Sequence, residues 1–207
     1  MGLTATMSAL VLALLIASAK NSYDTQRNEL TQMSANVVLL DRLLAHYGPE
    51  TKEIRELLRV SLVRMTGQIW PASSSNNAKA PPMASGGEMV YDEIQALSPR
   101  NDAERSLQEQ AERLSIDIAQ TRWLLFEQGD RSIPMPFLAL LVFWVTIIFL
   151  SFGLFAPLNA TVVATLFLCA LSVSGAIFLI LELDQPFGGL IKISGAPLRS
   201  AIAHLGQ

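Results

Sequence analysis

Cysteine and charge are both scarce in this chain. The single cysteine, Cys169, lies in an apolar run and cannot form an internal disulfide, which excludes a disulfide-stapled secreted domain. Only 16% of the 207 residues are charged and 51% are hydrophobic, whereas roughly 25% are charged in a soluble globular domain. The composition therefore excludes a wholly soluble enzyme and a disordered tail, and it indicates a membrane protein.

Residues 1–19 and 137–181 contain no Asp, Glu, Lys or Arg, so all 15 basic and 18 acidic residues lie elsewhere. A helix of about 20 residues crosses the roughly 30 Å of hydrocarbon in a bilayer. We therefore predict three transmembrane helices, over residues 1–19, 134–155 and 158–181, with Ala156-Pro157 in a hairpin between the last two. A cleaved signal peptide is the alternative for the first segment, but no basic region precedes it. Because Met1 lies at the predicted membrane edge, we expect that a further spanning helix upstream is missing from this sequence.

Glycine and proline are absent between Gly2 and Gly48, so the first membrane helix is predicted to continue into the cytoplasm to about residue 46. Two more helices are predicted over residues 50–69 and 99–128, the second with Ser98 as its cap and Pro99 as its first helical residue. Residues 71–88 are rich in Ser, Asn, Pro and Gly and are predicted to form a mobile loop. No period-two strand pattern occurs, and we predict an all-α fold.

The basic residues predict the orientation in the membrane. All of them lie between residues 20 and 131 or at Lys192 and Arg199, and the predicted hairpin has none. The positive-inside rule then places residues 20–133 and the tail, residues 182–207, in the cytoplasm of a multi-pass inner-membrane protein. The apolar stripes of the cytoplasmic helices need partners, so we also expect a homo-oligomer.

The sequence also lacks a catalytic constellation. His46 and His204 are far apart, with no Cys or carboxylate at metal-ligand spacing, and there is no phosphate-binding loop or nucleophile elbow. We therefore expect a protein that is not an enzyme, with no catalytic residues, no metal site, no cofactor and no nucleic-acid partner.

Three small residues, Ala9, Ala13 and Ala17, recur every four positions on one face of the first helix. Small residues let membrane helices approach closely, and helix packing is the commoner meaning of such a stripe. The functional alternative is that this face lines a pore, which alanine would leave wide.

Charged residues stand where the first and last membrane helices end. Lys20 and Asp24 are four residues apart and can pair, and we expect Lys20 and Tyr23 to act as anchors at the membrane interface. Glu182 and Asp184 follow the last helix, immediately before Gln185-Pro186. This segment is either a simple exit turn or a place where carboxylates surround a cytoplasmic vestibule.

Several blocks of this sequence, in their order along nearly the whole chain, resemble the bestrophins, and more narrowly the bacterial bestrophin-like membrane proteins. The blocks are Asn21-Ser22-Tyr23-Asp24, Leu40-Asp41-Arg42, Tyr47-Gly48-Pro49-Glu50, Ile133-Pro134-Met135-Pro136-Phe137 and Glu182-Leu183-Asp184-Gln185-Pro186-Phe187-Gly188.

The resemblance implies an ion channel made of several copies of the chain, since bestrophins are homopentamers with four membrane helices per subunit. It implies that residues 2–19 are the pore-lining second helix and that the family's first helix is the missing one. Ala9, Ala13 and Ala17 then stand where bestrophins carry bulky neck residues, which widens the neck. Residues 189–192 lack the carboxylates of the animal calcium clasp, so we expect no calcium site.

Two functions follow as expectations. The first is an oligomeric ion channel, with Lys20, Asp24, Glu182 and Asp184 at its cytoplasmic mouth and with small inorganic ions and the lipid bilayer as partners. The alternative is a non-conducting scaffold or sensor that binds a partner protein through its cytoplasmic helices, an idea that the unusual neck motivates.

Overall fold

The structure is a computed structural model, and it describes residues 2–70, 85–129, 135–157 and 159–206. Within these ranges the chain forms seven α-helices and no strand, which confirms the all-α prediction. A short 3-10 helix, Pro49–Thr51, precedes the second α-helix. The helices are α1 (Gly2–Tyr47), α2 (Lys52–Ile69), α3 (Ser85–Gln95), α4 (Asp102–Gly129), α5 (Met135–Phe155), α6 (Ala160–Leu183) and α7 (Ala196–His204).

Helix α1 runs unbroken over 46 residues because no glycine or proline interrupts it. It ends at Gly48, whose φ of 144° is a backbone conformation that favours glycine. The hydroxyl of Thr51 is within hydrogen-bond distance of the carbonyl oxygens of Leu44 and Gly48, and that of Leu44 is an acceptor that the end of the helix leaves without an intrahelical donor.

Among the described residues, three helices are long and apolar enough to cross a membrane, as the sequence predicted. The spans lie in Ala5–Tyr47, Pro136–Phe155 and Ala160–Leu183. In the most apolar windows of α5 and α6, only 6% of the residues are buried. Helices that expose so many apolar side chains are typical of lipid contact rather than of a water-exposed surface.

The chain divides into two compact units, and α1 contributes residues to both. The membrane unit contains residues 1–25 and 131–192, and the polar unit contains residues 26–130 and 193–207. Helices α5 and α6 therefore belong to the membrane unit, while α2, α3, α4 and α7 belong to the polar unit.

The polar unit has a core of its own. Its fully buried apolar side chains come from every helix of the unit: Leu30, Met33, Val37, Leu40, Leu44, Ile54, Leu58, Leu62, Val90, Ile94, Ala111, Leu125, Leu198 and Ala201. Helix α3 packs against both α2 and α4, and α7 packs against α2. The short helices therefore bury their apolar stripes within one subunit to a greater extent than the sequence suggested.

Two of these helices were not predicted. Residues 85–88, assigned to a loop over 71–88, form the first turn of α3, and residues 71–84 lie outside the described residues. Gly86 and Gly87 caused the error, because the sequence pattern read them as loop residues. They fit a helix here because α3 packs closely: a Cβ at Gly86 would lie 2.8 Å from Oγ of Ser61 in α2. Helix α7 lies in the tail, residues 182–207, for which no helix was predicted.

The predicted start of α4 was also wrong. The helix begins at Asp102, three residues after the Ser98-Pro99 pair that the sequence indicated. Asn101 provides the cap instead: its Oδ1 accepts from the amide N–H of Glu104 at 2.8 Å. The carboxylate of Glu104 accepts in return from the Asn101 side-chain amide at 2.9 Å and from the Arg100 N–H at 2.7 Å. These reciprocal bonds satisfy backbone donors that the start of a helix leaves open.

Candidate functional site

The alanine stripe lies on the exposed side of α1 in the membrane unit. Ala9, Ala13 and Ala17 are all exposed. The buried positions of the same segment are Ser8, with 6% of its surface exposed, and Ala19, with 5%. Ala13 and Ala17 are therefore available to face either a pore or another helix.

Ala9 has a second neighbourhood, an apolar groove within the membrane unit. The groove has a volume of about 560 Å³ and is lined by α1, α5 and α6. Ala5, Ser8, Ala9 and Leu12 form its wall on α1, whereas Ala13 and Ala17 are not among its lining residues. Ala5 and Ala9 are small and face α5 and α6 across this groove. Helix packing is therefore a sufficient explanation for the alanine at position 9.

An ion pair between Lys20 and Asp24 follows the alanine stripe along α1. Nζ of Lys20 contacts Oδ2 of Asp24 one turn further along α1. Both side chains are well exposed, at 65% and 44% of their surfaces, so the pair adds little stability. Asn21 is also exposed, whereas Tyr23 is half-buried. Lys20 and Asp24 thus present neighbouring charges of opposite sign where the apolar part of α1 ends.

Glu182 folds back onto the segment that follows α6. Its Oε1 accepts from the backbone N–H of Ile191 at 2.8 Å. A Cβ placed at Gly189 would lie 2.3 Å from the same oxygen, so only glycine leaves room for this carboxylate. The contact supports the exit-turn interpretation of this carboxylate.

The remaining motif residues shape the same turn. Pro186 is buried, Phe187 and Asp184 are half-buried, and Gly188 is exposed. Backbone N–H groups of Gly188 and Gly189 both donate to the carbonyl oxygen of Gln185. Within the described part of the chain, no hydrogen bond or ion pair joins Lys20 or Asp24 to Glu182. In the single subunit, Lys20 pairs with Asp24 and Glu182 bonds to Ile191, so these contacts of the three charged side chains are local ones.

Sequence reasoning missed a buried ion pair in the polar unit. The Nε and Nη2 atoms of Arg55 donate to the two carboxylate oxygens of Asp41 at 2.7 and 2.9 Å. The Asp41 side chain is only 2% exposed. The available signal was a lone acid in the apolar stripe of α1, at a position that must be buried and so must be paired.

No three His, Cys, Asp or Glu side chains come together as a metal site within the residues that the structure describes. The candidate site consists of the exposed face of α1 that carries the alanine stripe, the Lys20–Asp24 ion pair and the turn after α6.

A family model decides what this chain is related to. The model of the bestrophin-like domain matches residues 1–198. The chain belongs to the bestrophin-like family. The match covers all three spanning helices of this bestrophin-like chain and nearly all of its polar unit. No curated protein sequence matches it significantly.

Solved structures agree with this assignment at the level of the fold. A bacterial bestrophin homologue from Klebsiella pneumoniae superposes with a TM-score of 0.77 over 99% of this chain and 84% of that chain, at 15% sequence identity. A single-residue variant of a bestrophin homologue from the same organism superposes with a TM-score of 0.78 over 100% and 87%, again at 15% identity. The bestrophin-like chain therefore has the bestrophin fold. This confirms the prediction of an all-α, polytopic membrane protein.

Proposed function

We propose that this bestrophin-like chain is one subunit of a homo-oligomeric ion channel, a pentamer in a bacterial inner membrane, and that α1 lines its pore. The family is known for ion channels. The observation that carries the proposal is the exposed face of α1, on which Ala13 and Ala17 lead directly to the Lys20–Asp24 ion pair. An isolated subunit leaves this face uncovered, and a ring of copies would enclose it.

The side chains on this face favour a wide constriction. Rings of alanine leave more space and repel water less than rings of bulky apolar residues, which gate pores by dewetting. At the cytoplasmic end, Asp24 favours cations and Lys20 opposes them, so neither charge selects alone. Lys and Arg are absent from the α5–α6 hairpin, so the positive-inside rule places the hairpin outside and the basic residues in the cytoplasm.

The test is ion flux through liposomes that contain the full-length protein. An Ala13→Trp change should reduce the flux at least several-fold, because it adds a ring of indoles to the proposed pore. The matched control is Ala170→Trp, which makes the same substitution at an exposed position of α6 and should leave the flux unchanged. Flux that is absent from the wild type, or that responds equally to both changes, would overturn the pore proposal.

The alternative function is a non-conducting scaffold or sensor. The exposed apolar side chains of the polar unit favour it: Leu39 is 51% exposed, Val63 is 50% and Ile116 is 50%. A partner protein would cover these side chains where they join into one apolar patch. A stable monomer or dimer in mild detergent, measured by light scattering, would exclude a central pore and support the scaffold. A larger ring-sized assembly would favour the channel. In neither case do we expect catalytic activity.

A further inference from the structure

Arg122 points to a ligand site in the polar unit that is independent of any pore. This residue lies on α4, and its side chain lines a small cavity between α2, α3 and α4. The remaining wall is largely apolar, with hydroxyl groups from Ser61 and Ser115. A cation placed against such a wall loses hydration and needs a compensating partner.

Arg122 as a whole is only half-buried, but one part of its guanidinium is enclosed. Its Nε atom is buried and makes no hydrogen bond, and Arg122 forms no ion pair within the described residues. A buried donor on a charged group that lacks an acceptor is unusual in proteins.

The wall beside Arg122 combines backbone donors with one carbonyl oxygen, since the Ser61 hydroxyl donates to the carbonyl of Gly86 at 3.4 Å. Gly86 and Gly87 line it from the first turn of α3, an 11-residue helix. The backbone N–H groups of a first helical turn have no intrahelical acceptors and carry the positive end of the helix dipole. A Cβ at Gly87 would lie 3.1 Å from Nη1 of Arg122, so the absence of a side chain there lets the guanidinium approach this turn.

We propose that this cavity binds a small inorganic anion of the size of a halide ion, held by the Arg122 guanidinium and the first turn of α3. The cavity volume of about 50 Å³ limits the ligand to a monatomic anion or one of similar size. The alternative occupant of a polar cavity of this size is water, which also bridges unsatisfied donors. Anion binding would couple three helices of the polar unit and stabilise it in a salt-specific way.

The experiment compares the full-length protein in mild detergent with sodium bromide and with sodium gluconate at equal ionic strength. Bromide should raise the wild-type Tm in a saturable manner by about 2–4 °C. Arg122→Gln should abolish this rise. Arg113→Gln, which changes an exposed arginine of the same helix, should retain it. No bromide effect on the wild type, or an equal effect on all three proteins, would overturn the proposal.

A second pair of measurements decides the question if Arg122→Gln does not fold. Gly87→Ala crowds the guanidinium and should weaken the apparent bromide affinity about tenfold. Anomalous scattering from wild-type crystals soaked in bromide should give a peak beside Nε of Arg122. A cavity without that peak at a bromide concentration that saturates the Tm rise would mean that water fills it and would exclude the anion site.

Discussion

Arg55 and Asp41 form a two-bond ion pair that joins α2 to α1 inside the polar unit, with donor–acceptor distances of 2.7 and 2.9 Å. The backbone N–H of Gly206 donates to the same carboxylate at 3.4 Å, which links the C-terminal segment to the pair. The hydrogen bonds that Arg55 donates to Asp41 raise the pKa of Arg55 above its usual value, although burial lowers it. Arg55 therefore keeps its positive charge throughout the accessible pH range.

Removal of Asp41 should destabilise the polar unit strongly. Asp41→Ala leaves the Arg55 guanidinium, whose side chain is only 20% exposed, without its acceptor. Breaking a buried pair in this way costs about 3 kcal/mol, and the Tm of the full-length protein in detergent should fall by several degrees. The control is Glu56→Ala, which removes a well-exposed ion pair with Arg59 and should leave the Tm unchanged. Equal losses would contradict a special role for the buried pair.

Tyr47, the last residue of α1, should tolerate loss of its hydroxyl group. The hydroxyl oxygen is buried and makes no hydrogen bond in the described part of the chain. Tyr47→Phe removes an unsatisfied polar group, so the variant should be as stable as the wild type or more stable by about 1 kcal/mol. A Tm lowered by several degrees would show that the hydroxyl has a partner that stabilises the fold.

The same substitution should change the response to alkali. Desolvation, aided by the carboxylates of Glu104 and Glu50 and opposed by Arg100, raises the pKa of Tyr47 above its ordinary value of 10.0. Between pH 10 and the folded-state pKa, the unfolded chain loses this proton while the folded chain keeps it, so wild-type stability falls as pH rises. The Tm of Tyr47→Phe should fall less steeply above pH 10. Parallel Tm curves for the two proteins would refute the assignment.

Two candidate caps of α4 can be distinguished by mutation. Asn101→Ala removes the side-chain acceptor for the N–H of Glu104 and should cost about 1 kcal/mol. Ser98→Ala changes the residue that the sequence indicated as the cap, which lies outside the helix, and should have no measurable effect on Tm. The reverse result would place the start of the helix at Ser98.

The turn after α6 separates a structural role of Glu182 from an electrostatic one. Glu182→Gln keeps an oxygen that can accept from Ile191, so the protein should retain its Tm, whereas Glu182→Ala should lose about 1 kcal/mol. Gly189→Ala should also lower the Tm, because its methyl group would overlap the carboxylate. If flux through liposomes falls for Glu182→Gln at unchanged Tm, the charge itself acts at the mouth. Unchanged flux would confine Glu182 to the turn.

Much of the helical architecture could be predicted because its signals are local. The absence of glycine and proline before Gly48 was sufficient to predict the long α1, and runs of apolar residues predicted α5 and α6. The start of α4 failed because Ser98-Pro99 and Asn101 are both plausible caps. Only the reciprocal contact with Glu104 favours Asn101.

Local composition misled where packing decided the outcome. The glycines at 86 and 87 look like loop residues, yet they lie in the first turn of α3. This turn packs so closely against Ser61 and Arg122 that a side chain at either position would be crowded. The tertiary structure overrides helix propensity at such contacts. The placement of Arg122 beside a cavity belongs to the same class of features, since it depends on three helices that are distant in sequence.

The sequence by itself determined the membrane character, the three spanning segments and the all-α class. These properties depend on the hydropathy and periodicity of contiguous residues. Only the tertiary structure decided that Asp41 pairs with Arg55, that Glu182 folds onto its own exit turn and that α3 and α7 complete a core in the polar unit. The physical reason is that each of these features depends on the distance between residues far apart along the chain or on the course of a turn, and hydropathy does not encode such distances.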